Sequence, residues 1–106
     1  MLAHVGPHAL RTVRSYHASF AVLSCRGING QLGLADSDDG VVQIKQAMIE
    51  SCDCAIVLAD HRKFDRNGLV ALGPLSTVDK LITDTMPSQQ WQQRLKSAGV
   101  ELVCGE

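Results

Sequence analysis

Four ionisable residues, Asp60, His61, Arg62 and Lys63, follow directly on the apolar run Ala55-Ile56-Val57-Leu58-Ala59. A continuous run of this kind is the pattern of a parallel strand covered on both faces. Ligands of open α/β sheets bind beyond the carboxyl ends of the strands, so Asp60 and Lys63 are candidates to face one. Lys63 has the most direct chemistry. A flexible ammonium carried just past a strand end meets a phosphate as a point charge, against the plainer reading of a solvated turn lysine.

Other residues compete for the same role. Arg26 beside Gly27 sets a forked donor next to accessible backbone, which suits a phosphate equally well as it suits an exposed loop. Lys45 falls inside an otherwise apolar helical arc. Its ammonium must reach solvent, pair with a carboxylate such as Asp60, or face an anionic ligand. The segment GINGQLGLADSDDG holds four glycines in fourteen residues, which predicts a loop whose glycines, Gly27 and Gly33 among them, allow close backbone approach to a ligand. It is not a nucleotide-binding loop: the terminal lysine and hydroxyl residue are absent, and the glycine spacing does not match the dinucleotide fingerprint. Asp36, Asp38 and Asp39 read most simply as an N-cap at Asp39 with solvated neighbours, rather than as acid/base carboxylates.

The elements that must position these side chains alternate. GPHALRTVRSYH (6–17) predicts a short helix with Pro7 in its first turn, and Phe20–Leu23 predicts a strand closed by Gly27. At about 100° per residue, Val41, Val42, Ile44, Met48, Ile49 and Cys52 share an arc of about 160°, which predicts a helix over 39–52. Strands are expected at 54–59 and at 80–84, and the short apolar run GLVALG (68–73) between them is a further candidate. Pro87 and Ser88 then open a helix with Trp91, Leu95 and Ala98 on one face, ended by Gly99, and VELVC (100–104) closes as a strand. This order predicts an α/β fold with a mainly parallel sheet flanked by helices, its polar strand tips converging on one edge.

The 106 residues carry a formal net charge of −1, with 45% apolar and 20% charged residues. That length supports one core, burying roughly 60–70% of the unfolded-chain surface. The charge offers no general attraction to nucleic acid or anionic membrane. No apolar run approaches the ~20 residues needed to span a bilayer, and the opening MLAHVGPHAL lacks a signal peptide's basic and apolar regions, which leads to the expectation of a cytoplasmic protein. Cys25 and Cys104 sit in apolar strand-like runs, and Cys52 and Cys54 are too close for a zinc knuckle, so the cysteines read as small hydrophobes in a reduced compartment. The histidines offer only the His4/His8 pair, so neither a metal nor a cofactor is expected.

Gly27-Ile28 and Gly33-Leu34, then IKQAMIESC (44–52), IVLADHRKF (56–64) and LSTVDKLITD (75–84), follow in an order that resembles the C-terminal sensor domain of DeoR-type repressors of sugar metabolism, over about residues 6 to 104. The resemblance implies an architecture similar to ribose phosphate isomerases, and a domain whose binding of a phosphorylated sugar alters a repressor's grip on its operator. With the reading of the residues above, the effector contacts expected are Lys63, Lys45, Arg26, Gly27, Asp60 and Gly33. The isomerases place a catalytic glutamate directly before the lysine that matches Lys45, because moving a proton between sugar carbons needs a carboxylate base. Here that position is Ile44, while the substrate-contacting lysine after their strand matches Lys63. The acidic residue that often begins the family's helix is Val41.

The expectation is therefore the distal part of an effector-sensing domain over 1–106, its fold incomplete, with the helix-turn-helix and the first half of the sensor absent. DNA would be reached only through such an N-terminal domain, so this chain alone is not expected to bind an operator specifically. A homo-oligomer is expected, since half a sheet exposes apolar edge and face. The competing functions are a sugar-phosphate isomerase-like enzyme and a dimerisation module without ligand.

Overall fold

The computed structural model describes residues 7–30 and 33–105. Helix α1 (Pro7–Arg14) opens on the proline whose missing N–H costs nothing in a first turn. Strand β1 (Ala18–Ser24) follows, with Ala21 and Leu23 buried and Phe20 and Val22 turned outward. The glycine-rich segment then departs from the loop expected of it. It forms β2 (Gly27–Asn29) and β3 (Gly33–Asp36), paired antiparallel, with Ile28 and Leu34 wholly buried opposite one another. Glycine count argued against strand here, but two buried branched aliphatic side chains in register outweigh the local cost of the glycines.

Helix α2 (Asp39–Glu50) is capped by Asp38 and not by Asp39: the Asp38 side chain accepts from the Val41 N–H at 2.9 Å. Strand β4 (Cys52–Leu58) leads into a 3-10 turn at His61–Lys63, then β5 (Val70–Gly73) and a second such turn at Leu75–Thr77. Strand β6 (Lys80–Thr83), helix α3 (Gln89–Ser97) and strand β7 (Glu101–Cys104) complete the order. Ser88 caps α3 at Trp91 N–H, and Gly99 takes a φ of 77° as the chain leaves it.

Two sheets result. One is parallel, in the order β1-β4-β6-β7; the other is antiparallel, in the order β2-β3-β5. The run at 68–73 thus supplies a strand, Val70–Gly73, but to the small sheet. Because the parallel order advances in one direction, right-handed connections all return over the same side. That side carries the core, where Val57 and Leu81 meet Val42 of α2, Trp91 and Leu95 of α3, and Ile28, Leu34 and Leu72 of the small sheet. The opposite side is open among the described residues. Phe20, Val22, Leu58 and Val103 stand there 63%, 55%, 46% and 37% exposed, so the run 55–59 is covered on one face and not on two.

Candidate functional site

The parallel strands bring their polar tips together as their direction requires. The N–H of His61, just past β4, donates to Asp84 Oδ1 at 2.8 Å, and the His61 ring Nδ1 lies 2.9 Å from Oδ2 of the same carboxylate, just past β6. This bond holds the Asp84 carboxyl below its usual range. Asp60 caps the 3-10 turn, accepting from the N–H of Arg62 at 2.8 Å and from its guanidinium at 3.2 and 3.1 Å. The Arg62 hydrogen bonds hold Asp60 down to about 2. Asp60 is therefore engaged with its own turn, and it pairs with Arg62 rather than with Lys45.

Lys45 finds a different partner. Its ammonium forms an ion pair with Asp36 at the end of β3 and donates to the Ser24 carbonyl at the tip of β1 at 2.6 Å. Asp36, expected to be solvated, is 4% exposed. It also accepts from the N–H of Ser37 at 2.8 Å. A buried charge survives only with such a partner. Lys45 thus ties α2 to two strand tips. Cys25, buried beside this pair, has its thiol pushed up to about 11, chiefly by burial, so it stays neutral at physiological pH.

Beyond the same tips lies a cleft of about 360 Å³, lined by Arg26, Ser37, Lys63, Arg66, Asn67, Gly68 and Leu69. Three of these are cationic and none is acidic. Among the described residues none of the three cations forms an ion pair. The cleft brings Arg26 and Lys63 together, from the tips of β1 and β4. Arg66 is added by the turn after the 3-10 segment. This arrangement can hold an anion with forked and point-charge donors at once.

The glycines explain how the walls meet. A Cβ at Gly27 would stand 2.3 Å from the Arg66 carbonyl oxygen, and one at Gly68 would stand 2.7 Å from that of Asp36. Both glycines therefore serve close approach of the chain to itself, bringing Arg26 and Arg66 to one cleft. Gly33, at φ 75°, packs on Gly73 and Pro74 at the other end of β3, away from the cleft. Lys45, Asp60, Gly27 and Gly33 are not among its lining residues.

Arg66, Ser37 and Asn67 lie in the cleft without having been singled out from sequence. Arg66 is three residues after Lys63, a visible signal. Ser37 and Asn67 meet only because 66–68 folds against the end of β3, which no local pattern records. His4 and the side chain of His8 lie outside the described residues. All four cysteines are free. No group of three His, Cys, Asp or Glu side chains among the described residues could hold a metal ion, and no described helix is long and apolar enough to cross a membrane.

The sequence pattern of the DeoR C terminal sensor domain matches residues 2–85. The chain belongs to that family. Its relatives include an HTH-type transcriptional regulator of Bacillus subtilis, YulB, 34% identical over 84 residues, which are 79% of this chain and 33% of the relative. The glycerol-3-phosphate regulon repressor of Escherichia coli is 31% identical over 98 residues, covering 92% of this chain and 39% of the repressor. The HTH-type transcriptional repressor GlcR of B. subtilis is 33% identical over 102 residues, covering 95% of the chain and 39% of that protein. The chain thus spans little more than a third of the length of these relatives. Membership makes this DeoR domain a sensor and not an enzyme.

Proposed function

We propose that the cleft between Arg26, Lys63 and Arg66 binds the phosphoryl group of a phosphorylated sugar, and that its occupancy alters the grip of a transcriptional repressor on its operator. The observation that carries this reading is three cations converging at strand tips with no acidic lining residue. A dianionic phosphate is the ligand chemistry such a site favours, and one relative is itself named for a phosphorylated polyol, glycerol 3-phosphate. Calorimetry on the full-length protein with glycerol 3-phosphate, glucose 6-phosphate and fructose 1-phosphate, each against its unphosphorylated parent, tests it. At least one phosphorylated compound is expected to bind and to shift operator affinity, with its parent silent. Equal binding of parent and phosphate would remove the phosphoryl group from the recognition.

A second reading, self-association, is favoured by the open sheet face. Phe20, Val22, Leu58 and Val103 share that face with Lys80 and Glu101, which are neighbours in register. A two-fold axis passing between these two would set the charges of one copy against their opposites in a second copy, and an isologous contact of this kind is the commonest form of oligomer. Sedimentation equilibrium is expected to show a dimer that Val22→Glu weakens. A monomer at every concentration would exclude this use of the face.

A further inference from the structure

The turn that carries two of the three cleft cations is bent at an unusual residue. Asp65 has a φ of 62°, alone among the described non-glycine residues in being positive. Left-handed backbone at a side-chain-bearing residue persists where its surroundings over-determine it, and Asp is among the residues that tolerate it best. Here the surroundings are specific. The Asp65 N–H donates to the Ile28 carbonyl at 2.7 Å, and its carboxylate accepts from the indole Nε1 of Trp91 at 3.2 Å. The preceding residue, Phe64, forms a parallel bridge with Ile28, and its ring meets Trp91 edge-on at 5.4 Å between centroids.

Trp91 is itself immobilised. It is 3% exposed in the core on α3, and the Arg94 guanidinium lies 4.8 Å from its ring centre. A rigid donor on one element thus holds a strained turn on another. Lys63 lies two residues before Asp65 and Arg66 one after it, so the direction of the chain at Asp65 sets how these two cations stand relative to each other. Neither Asp65 nor Trp91 lines the cleft.

We propose that Asp65 and Trp91 are positioning residues for the anion cleft: their hydrogen bond anchors the Lys63–Arg66 turn to α3 and couples occupancy of the cleft to that helix. The proposal rests on the reading of the cleft as a phosphate site. Coupling follows from the same contact, because a ligand that draws Lys63 and Arg66 together acts on a turn whose other end is the indole of α3.

Inorganic phosphate titrated into the full chain, followed by amide and indole N–H resonances, tests this. The chain has one tryptophan, so its indole signal is a single reporter. In the wild type, the Lys63 and Arg66 amides and the Trp91 indole are expected to shift on one binding curve. Trp91→Phe keeps an aromatic ring in the core and removes the donor, and is expected to weaken phosphate binding roughly five-fold, the loss of one hydrogen bond. Asp65→Gly, which adopts the left-handed backbone freely but lacks the acceptor, is expected to do the same. Asp65→Asn keeps an acceptor oxygen and is expected to bind within about two-fold of wild type. A merely structural role would lower the melting temperature without this pattern of rescue. If Trp91→Phe and Asp65→Gly bind phosphate as the wild type does while Lys63→Ala does not, the cleft reading stands and the positioning role is overturned. If phosphate moves neither Lys63 nor Arg66 in the wild type, both fall together.

Discussion

Asp36→Ala is expected to destabilise the domain by about 3–5 kcal/mol, the cost of leaving a buried charge without its partner. The Lys45 side chain is 15% exposed and that of Asp36 6%, so water reaches neither well enough to replace the other. Loss of the carboxylate also removes the acceptor of the Ser37 N–H. Lys45→Met is expected to be costly in the same way, stranding Asp36. The double variant Asp36→Leu with Lys45→Met is expected to recover much of the loss, because a buried ion pair exchanged for apolar groups of similar volume is often neutral. Urea unfolding of the wild type, Asp36→Leu, Lys45→Met and the double variant closes the double-mutant cycle. A loss below about 1 kcal/mol for Asp36→Ala would mean that the pair is screened like a surface bridge.

Lys63→Ala is expected to act on binding and not on folding. Removing a charge-assisted hydrogen bond of about 1.5–3 kcal/mol weakens sugar-phosphate affinity by roughly ten- to a hundred-fold. Stability should change by less than about 0.5 kcal/mol, as at most surface positions, because the Lys63 ammonium holds no described part of the fold together. On the proposed reading of the cleft, a repressor carrying the substitution would hold its operator at effector concentrations that release the wild type. Unchanged affinity measured by calorimetry in the full-length Lys63→Ala protein would return Lys63 to a solvated turn residue. Lys45→Met makes the contrast. It lies outside the cleft, so its effect should be read first in unfolding.

The parallel sheet was legible because its determinants are local. Apolar runs such as 55–59 and the arc of α2 announce themselves by period, and Ser88 and Gly99 mark the ends of α3 by their own chemistry. Two things were not local. The small sheet is built by Ile28 and Leu34 meeting each other and β5 from far along the chain, and the glycines between them pointed to a loop. The partner of Lys45 was equally hidden. Three carboxylates stood close together in sequence, and no local pattern says that Asp36, paired with Val70 of β5, turns inward while Asp38 caps α2. At the site, Lys63 and Arg26 followed from strand tips, but Arg66 and Asn67 arrive through a turn bent at Asp65, whose carboxylate accepts from Trp91 twenty-six residues away.

The most direct measurement is a crystal structure of the full-length protein with the sugar phosphate that binds it. The phosphoryl group is expected in the cleft, with an oxygen about 3 Å from Lys63 Nζ and further oxygens within reach of the Arg26 and Arg66 guanidinium groups. Lys45 should remain on Asp36. A phosphoryl group seated elsewhere, with Arg26, Lys63 and Arg66 left in solvent, would contradict the assignment of this cleft as the effector site.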